Sequence, residues 1–190
     1  MPTRKAECEY QGRRKKRPFS SGHALHVTFR SELAKGPYSL LGSKHRTWLK
    51  EYIPRLARKT SVRLHHFAVQ GSHIHLVLRA REKHLFHSFL RALGGRIPRR
   101  ILGAEKGRPK HVRFWVGRPY SRVLSWGREF WSVMEYVERN ILEQLGAIPY
   151  VSRSIKLDAR YREQVSESLR RYRLRRESLC NGPLVFQEID

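Results

Sequence analysis

The stretch that decides the fold is VRLHHFAV at 62–69, followed by Gln70-Gly71-Ser72 and by HIHLVLRA at 73–80. Apolar residues alternate in the last segment, so Ile74, Leu76 and Leu78 share one face of an extended chain. Glycine and serine between two such segments are typical of a tight turn. We therefore predict two antiparallel strands, joined as a hairpin over residues 62–80.

Further strands and helices are predicted on both sides of this hairpin. Alternation indicates strands over 23–30 and 120–124, and the aromatic segment 112–116 suggests another strand or a hairpin with the latter. Helical spacing of apolar residues indicates helices over 43–58, 83–102 and 128–145, the first with Ser43 as its N-cap. This order favours the α+β class, with a ferredoxin-like or RRM-like antiparallel sheet and helices packed on one face.

Net charge is the strongest feature of the composition. The chain has 190 residues, with 40 Lys and Arg against 16 Asp and Glu, a formal charge of +24 and a sequence pI near 11.1. Such a surface attracts a polyanion, and no apolar run reaches the roughly 20 residues that a membrane span requires. We therefore expect nucleic acid, and no membrane, as the partner.

The composition also divides the chain. Residues 1–20 form a basic flexible arm, which either grips a nucleic-acid backbone or is a solvated leader; 21–150 form the folded domain, and 151–190 a basic, partly helical C-terminal appendage. Cys8 and Cys180 have no partner at metal-binding spacing, and no secretory signal stands at the N-terminus. We expect a cytoplasmic, nucleoid-associated protein of bacterial type.

Two histidines lie two residues apart in the second hairpin strand. Because alternate side chains share a face, His73 and His75 lie together on the face opposite Ile74. Two imidazole nitrogens suit Mn, Zn, Co or Fe, and with added oxygen ligands they also hold Mg. The alternative is a pair of half-exposed polar residues on an ordinary sheet surface.

A tyrosine and an asparagine lie one turn apart in the last predicted helix. Tyr136 and Asn140 are i and i+4 neighbours at the edge of its apolar stripe. A phenol and an amide at these positions can face a metal site, with the amide oxygen as a candidate third ligand beside the histidines. The alternative is a boundary tyrosine that packs on the sheet.

Together these motifs resemble those of the single-tyrosine HUH transposases, and within them the branch associated with repetitive extragenic palindromes (REP). The resemblance covers about residues 23–148 and rests on His73-Ile-His75 in a central strand and on Tyr136-x-x-x-Asn140 in a later helix. It departs at Gln70-Gly71-Ser72, where many members have Met-Pro-Asn, and at Ile141, where they have Pro.

The resemblance implies an enzyme that cuts and rejoins single-stranded DNA at hairpins or palindromes, in transposition or repeat processing. Tyr136 would attack a phosphodiester, giving a 5′-phosphotyrosine link and a free 3′-hydroxyl. His73, His75 and Asn140 would hold a divalent metal, Mg²⁺ or Mn²⁺. The expected partner is single-stranded or hairpin DNA, and the protein would work as a monomer or a homodimer.

The remaining basic and imidazole side chains are assigned to substrate contact. The predicted DNA-binding arginines are Arg91, Arg96, Arg99, Arg100, Arg113 and Arg118, although a solvated basic face is the competing interpretation. His65 and His66 are adjacent, so only one of them is expected on the face of His73. Both are expected, like His26, to be surface or substrate-contact residues rather than ligands.

Two other functions compete. The first is a non-catalytic nucleic-acid-binding module on a ferredoxin-like sheet, which requires exposed aromatics on the central strands, where this chain has His73, His75 and Val77. The second is a histidine-triad nucleotide hydrolase, which requires a third alternate histidine where Val77 stands. Both patterns favour the tyrosine enzyme.

Overall fold

The computed structural model describes residues 17–104, 112–151 and 159–179, with side chains as far as Arg175. Most of the predicted arm, both cysteines and much of the appendage lie outside these residues. The strands are β1 Ala24–Arg30, β2 Val62–Val69, β3 His73–Ala80 and β4 Tyr120–Leu124. The helices are α1 Ser43–Lys59, α2 Lys83–Leu102, α3 Arg128–Gln144 and α4 Ala159–Leu179, with a short 3-10 helix at Gly36–Tyr38.

The four strands form one antiparallel sheet in the order β2-β3-β1-β4. This order, with α1 after β1 and α2 after β3, is that of the ferredoxin-like fold, and it confirms the predicted α+β class. The β2–β3 hairpin has the predicted bounds. The aromatic segment 112–116, suggested as another strand or a hairpin with 120–124, lies outside the strands, although the Val116 amide donates to the Arg30 carbonyl.

The main core lies between the sheet and the helices α1 and α2. Leu25, Val27 and Phe29 of β1 point into it beside Ile74, Leu76 and Leu78 of β3, and all six are almost wholly buried. The alternation in the two central strands therefore predicted the inner face of the sheet correctly. It also leaves the histidines of β3 on the other face.

That other face is not bare, which corrects the prediction that all helices pack on one side. α3 lies mainly over β2 and β3, and its apolar stripe buries Val133, Met134 and Val137 against Ala68 and Val77 of the sheet. Since Val77 and Ala68 are apolar, this half of the histidine face must be covered to exclude water. In β3 the alternate residues His73, His75 and Val77 face this side, and the apolar Val77 is the one that α3 covers.

A β-bulge in β2 corrects the prediction for the adjacent histidines. Leu64 pairs with Leu78 but His66 pairs with Val77, so His65 is an extra residue in the ladder. Because the bulge shifts the phase of alternation, both imidazoles lie on the α3 side. The ring centroid of His65 lies 5.3 Å from that of Phe130, and His66 is buried.

α4 belongs to the predicted appendage and packs against α3. Val165, Leu169 and Tyr172 form a small core with Leu142 and Ile148. Beside this core, Arg173 of α4 donates two 2.8 Å bonds to the carboxylate of Glu138, which is 3% exposed. The Tyr172 hydroxyl lies 3.3 Å from Nε2 of His66, so α4 contacts both α3 and β2. None of the described helices has the length and hydropathy of a membrane span.

The Arg173–Glu138 pair gives a stability prediction. Arg173→Ala leaves a carboxylate buried without its guanidinium, and we expect the free energy of unfolding to fall by about 2 kcal/mol, below the usual buried-pair cost because Arg173 is half exposed. Urea denaturation measures this. The control is Arg171→Ala, whose pair with Glu167 is exposed and should be worth under about 1 kcal/mol. Equal losses in the two variants would contradict the buried character of the pair.

Candidate active site

Imidazole, phenol and amide groups converge where α3 crosses the start of β3. The ring centroid of Tyr136 lies 5.3 Å from that of His75, and the rings of His73 and His75 are 4.9 Å apart. A cleft of about 540 Å³ opens beside them, lined by His73, Tyr136 and Asn140 among others. The structure thus brings together the four side chains that the two motifs singled out.

His75 is held by the neighbouring strand. It is 5% exposed, and its Nδ1 lies 3.2 Å from both the Thr28 hydroxyl and Nε2 of His26. Thr28 is its direct partner across the β1–β3 ladder. His26 was predicted to be a surface or substrate-contact residue. Instead it is buried, because it lies on the α3 side of the sheet against the rings of His75 and Tyr136.

Burial keeps His26 neutral. Desolvation, with a smaller contribution from the nearby Arg122 guanidinium, lowers the pKa of His26 to about 4. A neutral His26 can accept at Nε2 the proton that His75 carries on Nδ1. In that tautomer His75 has its lone pair on Nε2, which is the arrangement of a histidine whose other nitrogen is fixed for metal binding.

Asn140 is oriented within its own helix and from the hairpin turn. Its Nδ2 donates to the Tyr136 carbonyl at 2.9 Å, so Oδ1 is the atom of the amide that suits a cation. Nε2 of Gln70 donates to the Asn140 carbonyl at 2.8 Å and ties the turn to the last part of α3. Gln70 stands where the sequence departs from the resembled motif, and sequence reasoning assigned it no role.

The donor set fits a divalent cation that shares its shell with the substrate. Two imidazoles and one amide oxygen are suitable donors, and phosphate or water oxygens would complete the shell. The described part of the chain holds no group of three or more histidine, cysteine or carboxylate side chains able to enclose an ion. If this cleft takes a metal, His73, His75 and Asn140 are the side chains whose donor atoms suit it.

The predicted DNA-binding arginines lie away from this cleft. Arg91, Arg96, Arg99 and Arg100 belong to α2, which packs on the opposite face of the sheet; Arg113 and Arg118 line a separate cavity of about 470 Å³. The Arg100 guanidinium lies 4.9 Å from the centroid of the Trp48 ring. Other arginines lie beside the imidazoles: Arg139 lines the cleft, Arg122 pairs with His26 across β1 and β4, and Arg30 pairs with His73 across β1 and β3.

Sequence reasoning did not find the support of His75: it gave His26 a surface or substrate-contact role and gave Thr28 no role. Alternation in β1 does place His26 and Thr28 on one face, opposite Leu25 and Val27. Only the register, however, sets Thr28 against His75. A search for polar residues that share a face on neighbouring strands would have listed both as candidates.

Comparison with solved structures supports the fold. The chain is similar to a structure described as a REP-associated tyrosine transposase bound to a REP hairpin, with 14% identity, a TM-score of 0.53, and coverage of 68% of this chain and 73% of that one. A putative transposase from Deinococcus radiodurans R1 matches with 21% identity, a TM-score of 0.41, and coverage of 62% and 89%. No family model and no curated protein matches the chain. The first likeness confirms the fold expected from the sequence resemblance.

The lowered pKa of His26 predicts a pH dependence of stability in the metal-free protein. The pKa of His26 is about 4 in the folded state against 6.5 ordinarily, so the unfolded chain takes up the proton first as pH falls. The contribution of His26 to the free energy of unfolding is therefore at its full value above about pH 6.5. It is lost as the pH falls toward 4, by at most ~3 kcal/mol. His75, Arg122 and Tyr136 are the titratable groups that surround it.

Urea denaturation between pH 7 and 4, with a chelator present, measures this dependence. His26→Gln keeps an acceptor for His75 but does not titrate, so its stability should fall less steeply with pH than that of the parent. The exposed His84→Gln should leave the slope unchanged. If His26→Gln shows the parental slope, His26 is not the group that titrates.

Proposed function

We propose that this protein is a metal-assisted, tyrosine-nucleophile enzyme that cleaves and rejoins single-stranded DNA, as transposases of the HUH class do. The observation that carries the proposal is the ring of Tyr136, 5.3 Å from that of His75, in one cleft with His73 and Asn140. Phosphoryl transfer requires at least a nucleophile held close to the group that binds the phosphate. Here the nucleophile is the Tyr136 hydroxyl, and the imidazoles with their cation would bind the phosphate.

The proposed roles follow from the atoms of each group. His73, His75 and Asn140 hold a divalent cation, Mg²⁺ or Mn²⁺, which when bound offsets phosphate charge and orients the phosphorus for attack. Thr28 and His26 fix the ring of His75 and its tautomer. Gln70 holds the end of α3 and with it the position of Asn140.

The reaction balances without an external energy source. The phenol oxygen of Tyr136 forms a bond to phosphorus as the bond from phosphorus to the 3′ oxygen breaks. The phenol loses its proton and the departing oxygen gains one, so a 5′-phosphotyrosine link and a 3′-hydroxyl result. Attack by a 3′-hydroxyl on the same link reverses these steps and joins two strands.

Hairpin DNA is the proposed substrate. The net charge of +24 provides affinity for a phosphate backbone, and the structurally similar transposase is described as bound to a REP hairpin. The arginines of α2 lie on the face of the sheet opposite the cleft. They are therefore suited to contact phosphates of the hairpin stem or of a flanking strand rather than the scissile phosphate. Val77 is buried against α3 in the third alternate position, which argues against a histidine-triad hydrolase.

The nucleophile is tested by a covalent adduct. Incubation of the protein with labelled hairpin DNA and Mn²⁺, followed by a denaturing gel, should give an adduct that is lost to background in Tyr136→Phe, because the attacking oxygen is gone. The matched control is Tyr150→Phe, since Tyr150 is exposed and lines the same cleft. An adduct that persists in Tyr136→Phe would assign the attack to another nucleophile, and tight binding with no adduct on any hairpin tested favours a binding module instead.

The metal site is tested by separating cleavage from binding. His73→Ala should lower the cleavage rate by roughly 100-fold or more, and a chelator should do the same to the parent. Binding of uncleaved hairpin should change little, because phosphate contacts elsewhere supply most of the affinity. Cleavage at the parental rate in His73→Ala would remove the metal site from the proposal.

A further inference from the structure

Among the described residues, helix α3 covers only part of the width of the histidine face of the sheet. α3 lies mainly over β2 and β3, and toward β4 the same face carries a row of polar and aromatic side chains. We call this row the open strip and define it by Thr28 and Arg30 of β1 with Tyr120 and Arg122 of β4. Arg30, Tyr120 and Arg122 are exposed, and Thr28 is half-buried.

The open strip is continuous with the candidate active site. Tyr120 is the partner of Thr28 across β1 and β4, and Thr28 is the partner of His75 across β1 and β3. Two strand spacings therefore separate Tyr120 from His75, which is about 10 Å. Arg30 pairs with His73, and Arg122 pairs with His26. An arginine therefore lies at each end of the row formed by His73, His75 and His26.

The chemistry of the open strip suits an unpaired nucleic-acid strand. Tyr120 is 46% exposed although it lies in a sheet, and it offers a ring to a base. Neither β1 nor β4 contains an acidic residue. The carboxylate of Glu129 lies 3.5 Å from the Arg122 guanidinium, but both side chains are open to solvent, and such a pair is weak.

We propose that the open strip binds the single-stranded DNA segment next to the scissile phosphate, with a base stacked on Tyr120 and its phosphates at Arg122 and Arg30. A duplex is the poorer occupant, because its bases are already stacked on one another. The choice of this strand rests on the proposed function, which places the scissile phosphate at Tyr136. The binding itself requires no chemistry and can be measured without it.

The experiment uses the full chain carrying Tyr136→Phe, so that no cleavage interferes. The probe is a hairpin with a single-stranded flank that contains 2-aminopurine, whose fluorescence falls when the base stacks. Tyr120→Ala should remove the quenching and weaken binding about tenfold. Arg122→Ala should lower the slope of log affinity against log salt by about 0.7, the value for one lost single-strand phosphate contact.

Matched controls lie elsewhere in the chain. Tyr38→Ala removes a tyrosine of similar exposure, 43%, from the 3-10 helix, and Arg58→Ala removes an exposed arginine from α1 on the far side of the sheet. Both should bind and quench like the parent. Because Tyr120 and Arg122 are exposed, their variants should melt within a few degrees of the parent, which the same samples can show.

Two results would overturn the proposal. One is unchanged quenching and salt slope in Tyr120→Ala and Arg122→Ala. The other is an equal loss of affinity for a blunt duplex, which would make the strip a stem-binding surface. A third outcome separates the two proposals. If Tyr120→Ala and Arg122→Ala weaken binding of the single-stranded flank while the protein with Tyr136 intact forms no adduct, the open strip is supported and the proposed enzyme is contradicted.

Discussion

The hydrogen bonds between β1 and the ring of His75 are the constraint on which the site depends. An imidazole that is to present one nitrogen to a cation must have the other fixed, or the ring and its tautomer remain undefined. Here the Thr28 hydroxyl and Nε2 of His26 both approach Nδ1 at 3.2 Å. The arrangement requires that His26 be neutral, and burial ensures this by lowering its pKa. The sheet register is therefore part of the chemistry, since a shift of one residue would carry Thr28 to the other face.

The helices hold the other half of the site in place against this strand pair. α3 is pressed onto β2 and β3 by its apolar stripe, while Gln70 bonds to its final turn and α4 packs along its flank. Tyr136 and Asn140 lie between these supports on the side that remains open. The arginines of α2 are separated from them by the sheet itself. In the proposed enzyme, the arginines of α2 and the groups that act on the DNA therefore lie on different faces.

Many of the strands, helices and site residues could be predicted from the sequence, because they depend on the spacing of residues that are close along the chain. Alternation gave β3 and its two-residue histidine spacing, and i to i+4 spacing placed Tyr136 beside Asn140. What could not be predicted depends on pairing between distant segments. Nothing local says that Thr28 meets His75, that Arg122 faces His26, or that α3 covers half of the histidine face while Tyr120 stays exposed. The charge of +24 indicated a polyanion but gave no means of choosing among 40 basic residues. Four of the six predicted arginines were chosen along a helix and two in the segment before β4, and the structure adds strand arginines close to the imidazoles.

The extra residue at His65 has a consequence for how this strand tolerates change. Val62 and Leu64 before it, and Phe67 and Val69 after it, all contact the same α1/α2 core, although the two pairs are out of phase in a regular strand. Loss of a single codon at that point would remove the bulge and leave a regular strand in which all four apolar side chains alternate on the core face. Deletion of His65 should therefore leave the core face of β2 intact and cost mainly the contact of its ring with Phe130, whereas a one-residue deletion between Val62 and Leu64 would put those two apolar side chains out of phase with each other.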